Sequence, residues 1–212
     1  MPKTPAVPIK FYSFPVSGHA HRVELLLRAL DLPFERIDMN LAGKQQKTPD
    51  FIRLNPFGQV PVIDDNGTVI WDSAAILVYL CLTYDAKRVY LPRDPKQFAE
   101  VVAWLGKAAG PINYGLAAAR RINIFKSPGD MATTHAISND FLGVLEGHLA
   151  PRKWLVDDHV TIADFACYSY IAHAPEGGID LAPYGHVTDW LSRFRRQPFF
   201  VPMARTKVGL WA

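Results

Sequence analysis

Cysteine is nearly absent. Cys81 and Cys167 are the only two in 212 residues, each inside an apolar helical pattern, so no disulfide framework is expected and both should be buried, reduced thiols. No run of about 18 apolar residues occurs, which excludes a membrane-spanning helix. Charge of one sign is also scarce: the net charge of +3 comes from interspersed Lys and Arg nearly balanced by acids, which is too little to argue for a nucleic-acid or membrane partner. The densest basic cluster, Arg193, Arg195 and Arg196, reads as a solvated helix end. The seven histidines are scattered, and apart from His19 and His21 none is paired at a ligand-like spacing, so no metal site is expected. Residues 1–8 carry Pro2, Pro5 and Pro8 and no apolar core, so no secretory signal is expected and the protein is expected to be cytosolic. Internal repeats and low-complexity stretches are missing too.

What is present centres on Asn55-Pro56-Phe57-Gly58-Gln59-Val60-Pro61-Val62. A proline directly before an apolar β-branched run cannot donate to a sheet ladder, so Pro61 belongs at a strand start or bend, with Val60 held extended before it. Val60-Pro61 is a candidate cis bond, and in such a bend the Val60 N–H and C=O can serve an extended peptide ligand. Val62-Ile63-Asp64 then meets Asp65-Asn66-Gly67, a hairpin signal that returns Thr68-Val69-Ile70 antiparallel. Asp72 or Ser73 caps the next helix, and the free N–H groups of its first turn, with the Ser73 hydroxyl, form a candidate carboxylate site.

Taken in order, Ile9-Lys10-Phe11-Tyr12 reads as a strand and Ser13 to Gly18 as a loop. Val23, Leu26, Leu27 and Leu30 mark an amphipathic helix from about His19, stopped by Asp31-Leu32-Pro33. Phe34 to Asp38 is a second strand, parallel to the first. Phe51, Ile52 and Leu54 suggest a brief helix before the hairpin. This is an α/β domain, β-α-β-α-β-β-α, over residues 1–83, with 84–95 as a linker carrying Pro92 and Pro95. Residues 96–212 are helical throughout. The first helix there is interrupted at Gly110-Pro111, and a later one has the stripe Ile137, Phe141, Val144, Leu145, His148, Leu149. Thr161-Ile162-Ala163-Asp164 fits a capping box, for which a folding role suffices. Val187, Trp190, Leu191 and Phe194 mark the last helix, and the apolar tail with Phe199, Phe200 and Trp211 is expected to pack back on the body.

This order of elements, with Asn55-Pro56-Phe57-Gly58-Gln59-Val60-Pro61, Asp72-Ser73-Ala74-Ala75-Ile76 and Thr161-Ile162-Ala163-Asp164 at these spacings, resembles the cytosolic glutathione S-transferases across essentially the whole chain. The family commonly has Glu or Gln where Asp72 stands. The resemblance implies a thioredoxin-like N-terminal domain, an all-helical C-terminal domain, glutathione as co-substrate without a metal, and a homodimer.

It also implies the chemistry. Glutathione is a dianionic tripeptide whose thiol must ionise to attack an electrophile, and the family places the sulfur at the N-terminus of the first helix beside a hydroxyl from the first loop. Ser17 falls where the serine-type, theta-like bacterial members carry their serine, and Ser13 where the tyrosine-type members carry their tyrosine. No cysteine lies between Tyr12 and Arg22, which disfavours the thiol-exchanging members and favours conjugation. By the same resemblance Val60 pairs with the cysteinyl backbone at the Val60-Pro61 bend, Asp72 and Ser73 hold the γ-glutamyl amine and carboxylate, and Lys44 and Gln46 reach the glycine carboxylate. His19 and His21 either tune the thiolate or are exposed first-turn histidines. The electrophile pocket, expected between the domains, would draw on Tyr114, Arg121 and Phe125. Peroxide reduction, isomerisation, or a non-catalytic module that binds ligands or docks a partner are the competing readings on this fold.

Overall fold

The computed structural model describes residues 4–156 and 158–206. These separate into two compact units: the chain up to Leu91 together with Pro198–Met203, and Pro92–Gln197 together with the residues from Ala204 onward.

The first unit is built on a four-stranded sheet in the order β2-β1-β3-β4, with β1 at Ile9–Ser13, β2 at Phe34–Asp38, β3 at Val62–Asp65 and β4 at Thr68–Trp71. β1 and β2 are parallel and joined by α1 (Gly18–Ala29), and the β3–β4 hairpin is antiparallel, both as the sequence predicts. β1 and β3 are also antiparallel, which makes the sheet mixed. Side chains alternate across a strand, so Ile9, Phe11 and Ser13 are buried on one face of β1 while Lys10 is exposed and Tyr12 half-buried on the other. Tyr12 lies with Met39, Phe51, Val62, Ile37 and Val60 in a cluster closed by α2 (Pro49–Leu54). The hairpin is tied to α3 (Ser73–Tyr84) through Asp65, which accepts hydrogen bonds from the Tyr79 hydroxyl at 2.7 Å and the Tyr84 hydroxyl at 2.5 Å.

The tail packs back on this unit, as expected for its described part. The His21 Nε2–H donates to Val201 O at 2.8 Å, His21 meets Phe200 edge-on, and Tyr90 meets Phe199 edge-on. Trp211 lies outside the described residues.

The second unit is helical among its described residues. It comprises α4 (Pro95–Ala109), a π-helical turn (Ile112–Ala117), α5 (Ala118–Phe125), α6 (Met131–Leu149), α7 (Ile162–Ala172), a 3-10 turn (Ala174–Gly177) and α8 (Gly185–Arg195). The interruption predicted at Gly110-Pro111 is real, and its form is a π turn, a feature that recurs at functional sites. Gly115 in that turn is needed for close approach to α6, since a Cβ there would lie 2.7 Å from Ser138 Oγ. α7 is buried on every side from Ile162 to Ile171, as its apolar composition requires. Its Phe165 and Tyr168 pack against Phe194 and Trp190 of α8, with Tyr168 stacked on Phe194 at 4.3 Å. The predicted stripe of α6 needs one correction: Val144 points to solvent at 72% exposure, and the inward face is Thr134, Ser138, Phe141, Leu142, Leu145 and Leu149. The 3.6-residue repeat turns position 144 off the face that 141, 145 and 149 share. Both cysteines are buried and reduced, as expected.

Candidate functional site

Of the three α-helix N-termini among the described residues of the first unit, those of α1 and α3 carry the predicted residues, and that of α2 is capped by Thr48. Ser17 is the N-cap of α1: its backbone is extended, its Oγ accepts from the Ala20 N–H at 3.2 Å, and its own N–H closes a turn onto Phe14 O at 2.9 Å. Accepting uses one lone pair and leaves the hydroxyl hydrogen, for which no acceptor lies among the described residues. Ser13 is placed differently. It ends β1 on the inner face at 2% exposure, sharing that face with Phe11.

At α3 the capping choice falls to Asp72, whose Oδ1 accepts from the N–H of Ala74 at 2.9 Å and of Ala75 at 3.1 Å. Asp72 adopts a left-handed φ of 71°, which aims the carboxylate back over the first turn. The consequence narrows the sequence reading. Two of the N–H groups expected to be free for a carboxylate are consumed by the cap, and the Ser73 N–H and hydroxyl remain as the donors of that end.

Ser73 itself is held from α1, a relation that sequence reasoning missed. His19 Nδ1 lies 3.2 Å and Arg22 Nη1 3.4 Å from Ser73 Oγ. His19 and Arg22 sit one turn apart on α1 and so share a face, which was the one available signal. His21 is not an exposed first-turn histidine: it is buried under the tail. Its position two residues from His19 turns it to another side of the helix.

The bend before β3 is organised by the buried Asn55. Its Nδ2 donates to Gln59 O at 2.8 Å, its Oδ1 accepts from Phe57 N–H at 3.0 Å, and its carbonyl accepts from Gly58 N–H at 2.9 Å. Gly58 takes a left-handed φ of 57°, and a Cβ there would lie 2.7 Å from Gln46 O. The Val60–Pro61 bond is cis, as the sequence suggests. Among the described residues the Val60 N–H and C=O take part in no backbone hydrogen bond of the loop.

The remaining predicted residues divide. Lys44 is exposed, in a left-handed conformation, and makes no ion pair among the described residues. Gln46 is turned inward: its Nε2 donates to Leu41 O at 3.4 Å and its Oε1 is buried without a partner. The neighbouring Lys47 is spent on Phe57 O at 3.0 Å. In the helical unit Tyr114 stands on the π turn and Phe125 ends α5, at 64% and 47% exposure, so neither is a core aromatic. Arg121, half-buried, donates to Asn113 Oδ1 at 3.3 Å and Asn113 O at 3.5 Å.

The family model for the glutathione S-transferase N-terminal domain matches residues 7–81, and that for the glutathione S-transferase C-terminal domain matches residues 136–198. A glutathione S-transferase-like protein of Aspergillus fumigatus is 34% identical over 197 residues, covering 84% of this chain and 86% of that protein. Glutathione S-transferase 3 of Zea mays is 30% identical over 208 residues, covering 91% of each. Among solved structures, a glutathione S-transferase from Pseudomonas fluorescens superposes with a TM-score of 0.87 at 30% identity, covering 94% of this chain and all of that one.

Proposed function

The chain belongs to the glutathione S-transferase family, and from that membership we propose that the open end of α1 holds the thiolate of glutathione for attack on a small apolar electrophile. The observation that carries this reading is Ser17: a loop hydroxyl on the N-cap of α1 with its hydrogen unspent. Ser13, facing the interior of the sheet, has no comparable exposure.

A free thiol of pKa about 8.5 is mostly protonated near neutrality, so the site must favour the anion. Lowering that pKa by two units takes about 2.7 kcal/mol. One charge-assisted hydrogen bond contributes about 1.5–3 kcal/mol and a helix N-terminus about 0.3–1 kcal/mol, so Ser17 and α1 together suffice. The thiolate then forms a C–S bond to the electrophilic carbon. The displaced electron pair departs with a leaving group, or ends on the neighbouring atom of an addition acceptor and takes a proton from water.

The rest of the peptide is assigned by family resemblance, with support from the same geometry. The unspent Val60 amide and carbonyl suit the cysteinyl backbone in β-augmentation. The second carboxylate oxygen of Asp72, not used in the cap, suits the γ-glutamyl ammonium, and the Ser73 donors its carboxylate. For the glycine carboxylate Lys44 is favoured over the inward-turned Gln46. The exposed Tyr114 and Phe125, with Arg121, are assigned to the electrophile. This reading makes the protein a serine-type, cytoplasmic enzyme and a homodimer.

The test is steady-state conjugation of glutathione to a panel of small electrophiles by wild type, Ser17→Ala and Ser13→Ala. Turnover collapses in Ser17→Ala while glutathione still binds, and survives in Ser13→Ala if that variant folds. Measurable glutathione binding by wild type with no conjugation of any electrophile would sink the reading and direct the assays to peroxides and isomerisable substrates.

A further inference from the structure

We propose that His19 and Arg22 are positioning residues that set the direction of the Ser73 hydroxyl, and so decide whether that hydroxyl can bind the γ-glutamyl carboxylate. The inference rests on the preceding reading that the end of α3 receives this group.

The end of α3 has few donors to offer. Asp72 has already taken the Ala74 and Ala75 amides, so the Ser73 N–H and O–H remain. The amide is fixed by the backbone, whereas the hydroxyl rotates to suit its neighbours. Ser73 is 4% exposed, and two α1 groups reach its oxygen. Arg22 can only donate, so its contact at 3.4 Å occupies one lone pair of Ser73 Oγ.

His19 decides the rest. When its Nδ1 carries a proton, the contact at 3.2 Å fills the second lone pair, and the hydroxyl hydrogen must point away from both α1 groups, toward whatever anion sits at the helix end. When its Nδ1 is bare, Ser73 donates to His19 instead, and a carboxylate arriving there meets oxygen lone pairs. A carboxylate ligand therefore selects the Nδ1–H form of His19. The same pair of contacts ties the α1 end that carries Ser17 to the α3 end that carries Asp72.

The experiment measures glutathione binding by calorimetry in wild type, His19→Leu, His19→Asn, Ser73→Ala and the double variant His19→Leu/Ser73→Ala. The second ligand is a glutathione analogue whose γ-glutamyl α-carboxylate is replaced by hydrogen. His19 is half-buried, so it carries the test in place of the buried Arg22, and thermal melts confirm folding. His19→Leu should weaken glutathione about tenfold, the scale of one hydrogen bond to a charged group. His19→Asn, whose amide nitrogen stands where Nδ1 does, should recover most of that loss. The analogue should bind His19→Leu and wild type alike, and His19→Leu should add nothing in the Ser73→Ala background. Nitrogen NMR of the ring should show glutathione driving His19 toward the Nδ1–H form. Equal weakening for both ligands, or a His19 effect that persists without the Ser73 hydroxyl, overturns the inference. Wild type that is folded and binds no glutathione overturns the earlier reading along with it.

Discussion

The N-terminus of α7 and those of α1 and α3 use the same device, a short polar residue ahead of an apolar helix, to opposite ends. At α7 the capping carboxylate is fully engaged by the fold itself. Asp164 accepts from the Thr161 N–H at 2.9 Å, the Thr161 hydroxyl at 3.3 Å, the Leu155 N–H at 3.1 Å and the Trp190 indole at 2.9 Å, and both cap residues are wholly buried. At α1 the cap keeps an unspent hydroxyl hydrogen, and at α3 it leaves the two donors of Ser73. A closed end holds a fold together, and an open one keeps donors of the kind that bind anions at helix N-termini.

The sharpest break of this contrast is Asp164→Ala. It orphans three buried N–H donors, each costing about 1–3 kcal/mol. A loss of about 3–9 kcal/mol in denaturant unfolding is expected, a large share of the about 5–15 kcal/mol that holds a typical domain. A smaller loss would mean that the end is wetter than it looks. The same carboxyl also predicts a pH dependence. Burial pushes Asp164 up from the ordinary 3.8 to about 6, against hydrogen bonds from Thr161, Trp190 and Leu155 that pull it down. The folded state therefore binds the proton more tightly than the unfolded chain. Its contribution is fully present below about pH 4 and is lost as pH rises through about 6, a span worth about 3 kcal/mol.

Glu176, buried in the same unit, has the opposite sign. Burial raises it, but hydrogen bonds from His173, the Thr206 amide and Arg120, with the Arg120 charge, overcome this and hold it at about 2. Its stabilisation is present above the ordinary 4.5 and fades as pH falls toward 2. Unfolding curves from pH 3 to 7 on wild type and Asp164→Asn separate the two: the difference between the proteins should change between about pH 4 and 6 and be flat elsewhere. The contrast teaches that the balance between burial and surrounding donors decides where a buried carboxyl titrates: burial outweighs the amides and indole at Asp164, and the His173, Thr206 and Arg120 donors outweigh it at Glu176.

At the open ends the effects move from stability to activity. Ser17→Ala removes a cap worth about 1 kcal/mol and, on the proposed function, a thiolate hydrogen bond worth about 1.5–3 kcal/mol. The kcat/KM for conjugation should fall about 10- to 150-fold, and thermal unfolding should shift by only a few degrees. A large stability loss with little change in turnover would place Ser17 with Asp164 among the closing caps.

Much of this was legible in the chain because local rules carry it. The Val60-Pro61 bend, the Asp65-Asn66-Gly67 hairpin and the Thr161 box are each set within a few residues, and each is found where it was expected. The break at Gly110-Pro111 was legible as a break, but not its π form or the close approach of Gly115 to Ser138, 23 residues away. The grip of His19 and Arg22 on Ser73 spans 54 and 51 residues, and no local pattern announces such a contact. Nor could the sequence choose between Asp72 and Ser73 as the cap, since that choice turns on a left-handed φ at Asp72.

The smallest effect tests that last point most finely. Asp72 has two jobs in this account: one oxygen caps α3, and the other faces the γ-glutamyl ammonium. Asparagine caps as well as aspartate does, so Asp72→Asn should leave the unfolding midpoint almost where it was. It removes the negative charge, however, and a charge-assisted bond is about twice as strong as a neutral one. Glutathione affinity should therefore drop about three- to tenfold, the scale of about 1 kcal/mol, with the loss shrinking at high salt. Asp72→Ala should lose both. If Asp72→Asn binds glutathione as well as wild type, the free oxygen has no ligand to hold, and α3 is a closed end in all but its Ser73 donors.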